Sequence, residues 1–289
     1  MISILELPNG TNDLTPVELT SEYLRMRRIY RDLLKRAKKV SRGSGGILAP
    51  TNRVAYASLL FTRIVVICKS IDQLLPDCKP REHWDFSSVA SLTRNLAEAF
   101  LWYFWLCIDE VEEVVRDGRF VLLYLHDHGS RKRLFEEVES TEPDVAYADL
   151  LSRFEANAYL RTFDASKRKE ALKGHKTPFA QDDLLDKIGV ERNSFRVLYR
   201  FFSQHTHTGP LSFMRMIDHD RGTGVETAHE KRYMIVALEF ANGVLKDAID
   251  GQLQLFPDAE TRAPHLTDAE VVRRVEQNQG RSSIHKHRG

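Results

Sequence analysis

The sequence predicts an all-α protein, a helical bundle with a peripheral basic N-terminal helix. Three observations carry that expectation. Apolar residues recur at steps of three and four through most of the chain, alternating apolar–polar runs bounded by turns are almost absent, and helix start and stop residues flank the periodic stretches. The first helix is expected from near Thr15 to about Val40, with Pro16 in its first turn and Glu18 three residues after Thr15, a capping-box arrangement. Tyr23, Met26, Tyr30, Leu33, Ala37 and Val40 form its packing stripe. Arg25, Arg27, Arg28, Arg31, Lys35, Arg36, Lys38, Lys39 and Arg42 are assigned to its other face, and the glycines and proline of 42–50 are read as a break.

A second helix is expected over about Asn52–Leu75, ended by the breaker at Pro76–Pro80, and a third over about Ser87–Cys107. A fourth covers Glu110–His126, split at Gly118, with Arg131–Val138 continuing it. Val145–Leu160 reads as another helix, and the polar, Lys-rich stretch Arg161–Asp183 as a linker or lid. Two more follow, over Glu191 to about His207 and His229 to about Leu255, and the tail carries one short helical pattern, Asp268–Glu276. The implied division is a basic helix and Gly-rich linker over 1–50, a helical domain over 51–256 and a flexible tail over 257–289.

Composition excludes several classes of protein. The 289 residues are 42% hydrophobic, enough for a core, and 42 Lys plus Arg against 41 Asp plus Glu leave a net charge of +1 that names no partner. Three cysteines without a C-x-x-C pattern, Cys68, Cys78 and Cys107, fit a reducing compartment, and no secretory leader pattern opens the chain, so the expectation is cytoplasmic. The most apolar run, Ala99–Ile108, is about half of the roughly 20 residues a bilayer-spanning helix requires and reads as core, so no membrane is expected.

Two polar clusters interrupt the apolar helices. Arg94 and Glu98, four apart with Asn95 beside them, share a helical face; they either close the end of a core helix as an ion pair or face a polar pocket. The second cluster is Tyr199–His207. His207 falls about 20° from Arg200 around the helix with Ser203 between them, whereas His205 projects about 140° away. A guanidinium presents forked donors to phosphate and an imidazole titrates near neutrality, which are the parts of a metal-free endoribonuclease. The plain alternative is a histidine at a helix C-terminus, where a cation is favoured.

These motifs resemble the signature of the HEPN superfamily, all-α domains whose ribonuclease members carry an Arg, four to six residues and a His near a helix end. Both Arg200-x4-His205 and Arg200-x6-His207 satisfy that spacing, and the pairing with RNLAEAF at Arg94–Phe100 looks like a bacterial branch with Arg-x3-Glu and Tyr-Arg-x2-Ser-x3-His helices. The resemblance implies His207 as general base or acid, His205 as the alternate, Arg200 as phosphate stabiliser, and Arg94, Asn95, Glu98, Tyr199 and Ser203 as supporting pocket residues. It implies RNA as ligand, a homodimer, no cofactor, and a bacterial defence or toxin–antitoxin setting with a protein inhibitor. Many active members have a polar residue directly after the motif arginine, where this chain has Phe201, and other members bind RNA or act as scaffolds without cleaving it.

Other readings stay open. The first helix sets nine Lys or Arg against Glu22 and Asp32 between Ser21 and Arg42, which either track a phosphate backbone or form a solvated face. His126-x-His128, His205-x-His207 and His219, with Asp127, Asp218 and Asp220, are ligand types for a metal hydrolase, but no pair has the i, i+4 spacing that shares a helical face. A noncatalytic interaction module, whose Arg94, Glu98 and His207 tie helices together, is the remaining alternative.

Overall fold

The computed structural model describes residues 14–45, 49–79, 81–134, 145–214 and 224–262. These residues form eleven α-helices and no strand; an isolated antiparallel bridge pairs His83 with Val225. The all-α expectation holds.

Helix α1 (Pro16–Ser44) begins at the expected capping box, Glu18 N–H donating to Thr15 Oγ1 at 3.3 Å and Thr15 N–H to Glu18 Oε2 at 2.8 Å. It continues past Val40 because Gly43 does not break it: the Ala259 backbone occupies the space a Cβ would need, so the glycine serves a close contact. Leu19, Tyr23, Tyr30, Leu34, Ala37 and Val40 are buried. Arg27 corrects the expected basic face. It lies four residues after Tyr23 and three before Tyr30, so the helical period places it on the buried stripe, where it pairs with Asp77.

Helix α2 (Asn52–Leu74) is capped by Thr51, whose hydroxyl accepts from Val54 N–H at 3.3 Å. Among the described residues it is the one helix long and apolar enough to cross a membrane by length and composition. Its Ala57, Phe61, Ile64, Cys68 and Ile71 are buried, and it packs on α1 and the last helix, as a core helix does. Helix α3 (Phe86–Tyr103) passes directly into a π-helical segment, Phe104–Ile108. Arg116 donates to the Leu106 and Asp109 carbonyls, both at 3.1 Å, supplying partners to backbone acceptors at the end of that segment.

Helix α4 (Glu113–Leu134) is unbroken at Gly118, where a split is expected. A Cβ there would stand 2.8 Å from the Tyr159 ring, so this glycine too admits a neighbour. The remainder of the Arg131–Val138 reading lies outside the described residues. The single helix expected over Val145–Leu160 is two, α5 (Val145–Ala156) and α6 (Ala158–Arg161). Asn157 causes the break: its Oδ1 accepts from Leu160 N–H at 3.0 Å and its amide donates to the Val114 carbonyl at 2.9 Å.

The expected linker or lid at Arg161–Asp183 is also corrected, since it holds α7 (Ala165–Lys173) and the start of α8 (Gln181–Ile188). A Lys-rich helix with no buried residue has no apolar period to read, but Asp164 accepts from Lys167 N–H at 2.8 Å and Gly174, at φ +61°, ends it. Helices α9 (Arg192–Thr206), α10 (Pro210–Met214) and α11 (Ala228–Leu255) complete the set. A second capping box, Thr227 with Glu230, starts α11. Residues 218–220, the Asp268–Glu276 pattern and the chain beyond 262 lie outside the described residues.

The chain divides into two compact units at boundaries other than the expected ones. One is the continuous segment Leu101–Asn193; the split unit comprises the described residues of Ile2–Phe100 and Ser194–Gly289. Helix α1 packs on α11 more extensively than on any other element, which ties it into the split unit. Within the continuous unit, α4 packs against α5, α6 and α7.

Candidate functional site

Both polar clusters belong to the split unit, and α3 and α9 bring part of each together. The pairings run in opposite chain directions: Ser87 meets His205, Arg94 meets Ser203 and Glu98 meets Tyr199, so the two helices are antiparallel here. Tyr199 and Ser203 are four apart on α9 and share a face, as Arg94 and Glu98 do on α3. Apolar contacts fix α9 from behind: Phe202 packs edge-on against Phe240 of α11 at 5.7 Å, and Phe201 lies 5.6 Å from Phe86.

The cluster is a closed set of hydrogen bonds. Arg94 Nε donates to Ser203 Oγ at 2.9 Å, and an Arg94 Nη donates to Tyr199 OH at 3.0 Å and pairs with Glu98 Oε1 at 2.8 Å. Tyr199 OH donates to Glu98 Oε1 at 2.5 Å, and Ser203 Oγ donates to the Tyr199 carbonyl at 2.7 Å. The Arg94 guanidinium also lies over the Tyr199 ring, 5.0 Å from its centre. Burial pushes the Tyr199 phenol above its ordinary pKa, the hydrogen bond to Glu98 and the charge of Glu98 push it further, and Arg94 opposes both. The side chains of Arg94 and Glu98 are 20% and 41% exposed, so the cluster opens to solvent along its Glu98 edge.

Of the expected site residues, Arg94, Glu98, Tyr199 and Ser203 therefore converge. Asn95 is half-buried beside them, and none of the cluster's hydrogen bonds reaches it. Arg200 and His207 are exposed, and among the described residues no hydrogen bond or ion pair joins either side chain to the cluster. The helical bonding nevertheless extends to His207, whose N–H donates to the Ser203 carbonyl at 3.2 Å, before Thr208 turns left-handed at φ +50°. That keeps Tyr199, Arg200, Ser203 and His207 within an arc of about 100°.

His205 has a different setting. It is buried, with Nδ1 3.0 Å from Ser87 Oγ and its ring edge-on to Phe86 at 4.8 Å and to Phe201 at 5.2 Å. The basic face of α1 borders a groove of about 680 Å³ lined by Lys35, Lys38, Lys39 and Arg42, and Arg36 there is held by Glu260 at 2.9 and 3.0 Å.

Two of the histidines of metal-ligand type, His126 and His128, have packing partners. His126 Nδ1 lies 3.0 Å from the Gly174 carbonyl and His128 stacks on Tyr147. Among the described residues no three His, Cys, Asp or Glu side chains are grouped to hold a metal; His219, Asp218 and Asp220 are not among those residues.

Sequence reasoning missed a second buried charge cluster, in the continuous unit. Asp109 accepts from Arg119 at 2.6 Å and from Lys187 at 2.7 Å. The i, i+10 spacing of Asp109 and Arg119 carries no helical-face signal, so nothing local marks it.

No curated protein and no solved structure matches the chain. Residues 54–224, which include both α3 and α9, match the family of unknown function DUF5677, and the chain belongs to that family.

Proposed function

We propose that this chain is a HEPN-like, metal-independent endoribonuclease or RNA-binding factor of bacterial defence, acting in the cytoplasm as a homodimer and held in check by a protein inhibitor. The observation that supports the reading is the arc of α9 on which exposed Arg200 and His207 lie together beside an anchored Tyr199–Ser203 pair. Arg94 and Glu98 hold that pair from α3, so the reactive side chains project from a fixed helix end. A reducing setting accords with Cys68, Cys78 and Cys107, none of which is in a disulfide and of which Cys68 is pushed by burial up to about 12 and is unreactive.

In the proposed chemistry His207 takes the proton of a ribose 2′-hydroxyl, whose oxygen bonds the adjacent phosphorus while the bond from phosphorus to the 5′-oxygen breaks. Arg200 donates to the phosphoryl oxygens as charge accumulates. A protonated imidazole returns a proton to the departing 5′-oxygen, a role the second His207 of a homodimer supplies. Because His205 is buried, the proposed proton transfer falls to the exposed His207.

The test is cleavage of single-stranded RNA in EDTA by the wild type, Arg200→Ala and His207→Ala. The expected result is cleavage that survives EDTA and falls about 100-fold or more in each variant, with melting temperatures unchanged because both side chains are exposed. Cleavage equal in all three proteins, or lost to EDTA, would overturn the assignment. One observation favours a second reading: Arg94, Glu98, Tyr199 and Ser203 satisfy one another, as a noncatalytic helical interaction module requires. Wild-type protein that neither cleaves nor binds RNA supports that module.

A further inference from the structure

The continuous unit holds a cleft of about 760 Å³ between the end of α4 and α7, with Tyr147 of α5 in its wall. Two glycines let the helices meet there. A Cβ on Gly129 would stand 2.6 Å from the Lys173 carbonyl oxygen, one on Gly174 would overlap the Leu125 carbonyl, and His126 lies 3.0 Å from the Gly174 carbonyl oxygen. The crossing turns Lys132 and Arg133 of α4 and Arg168, Lys169 and Lys173 of α7 toward one concavity, joined by His128 and His175.

Among the described residues no carboxylate lines this cleft. Part of the charge is compensated, since Arg168 pairs with Glu155 and Lys173 lies 3.7 Å from Glu170, while Arg133 donates to the neutral Ser130 Oγ at 3.2 Å. Lys132 and Lys169 have no ion pair among the described residues. A favourable helix dipole accounts for cations in the last turn of α4 but not for their convergence with Arg168 and Lys169, which costs self-repulsion that a bound anion relieves. Beside the charges, the His128 and Tyr147 rings stack on each other at 5.0 Å and 20°.

We propose that this cleft binds a nucleotide carrying two or more adjacent phosphates, with the phosphates between Lys132 and Lys169 and the base against the His128–Tyr147 pair. The volume falls in the range of about 300–1,000 Å³ typical of small-ligand sites, and five cations line a single concavity of that size, which suits a compact polyphosphate better than an extended strand. None of its lining residues belongs to α3 or α9, and it does not depend on the ribonuclease reading.

The test is calorimetric titration of the full chain with ATP in EDTA, with inorganic pyrophosphate as competitor. ATP is expected to bind, pyrophosphate to displace it, and Lys132→Ala with Lys169→Ala to weaken both ligands about tenfold or more. Tyr147→Leu is expected to weaken ATP and leave pyrophosphate unchanged; if that variant does not fold, the two exposed lysines carry the test. Absence of binding at millimolar ATP, or equal affinity in the lysine variant, overturns the proposal. So does a labelled oligouridylate that the lysine variant loses and ATP fails to displace, which would give the cleft to a strand.

Discussion

Replacing Tyr199 by Phe removes one oxygen from the α3–α9 cluster and leaves the ring, its stacking on Phe195 at 6.0 Å and the Arg94–Glu98 pair in place. Two hydrogen bonds are lost, the 2.5 Å donation to Glu98 and the 3.0 Å donation from Arg94. A hydrogen bond to a charged group contributes about 1.5–3 kcal/mol. Here both partners keep each other at 2.8 Å and Glu98 is 41% exposed, so water replaces much of what is removed. The expected loss is therefore about 1–2 kcal/mol, read as a fall in melting temperature of about 2–8 °C. Thermal denaturation of Tyr199→Phe, Glu98→Gln and the double variant measures it, with an expected coupling above about 0.5 kcal/mol. The pH dependence gives a second reading of the same bond. Because the folded phenol sits above its ordinary pKa, its contribution is complete below pH of about 10 and is lost as pH rises through the folded value. Tyr199→Phe should flatten part of that alkaline decline. Additive single effects, or a variant as stable as the wild type, would show that the cluster is not a coupled unit.

Two further outcomes follow from buried geometry. Gly174→Ala combines a left-handed φ of +61° with an overlap on the Leu125 carbonyl, and should destabilise the continuous unit by about 2–4 kcal/mol in urea unfolding. Burial raises the Asp247 carboxyl to about 6, with Asp250 adding to the shift. Since its folded pKa exceeds the unfolded value near 3.9, the associated penalty is absent below that pH and grows as pH rises through about 6. Asp247→Asn should thus raise the melting temperature at pH near 7 and give little gain at pH near 4; equal gains at both would remove burial as the cause.

Local signals were the legible ones. Thr15 with Glu18 marks the start of α1, and the i, i+4 pairs Arg94–Glu98 and Tyr199–Ser203 each sit on the face their spacing dictates. The meeting of those two pairs is a tertiary event between residues about a hundred positions apart, and only the family resemblance anticipated it. Gly43 and Gly118 look like breaks in the sequence because a gap left for a neighbour carries the same local signal. Arg27 defies a reading by charge because its period is that of the buried stripe, and its partner Asp77 lies three residues past the end of α2. Helix α7 stayed hidden for the opposite reason: it buries nothing, so only Asp164 and Gly174 announced it.

The split unit sets an order on biosynthesis. The buried stripe of α1 takes most of its cover from α11, which leaves the ribosome only after the entire continuous unit has been made. At about 5–20 residues per second, the apolar side chains Leu19, Tyr23, Tyr30 and Leu34 wait on the order of ten seconds or more for their partner. During that interval the nascent chain is a natural client for chaperones, and truncation before α11 should yield aggregates in place of a smaller folded product.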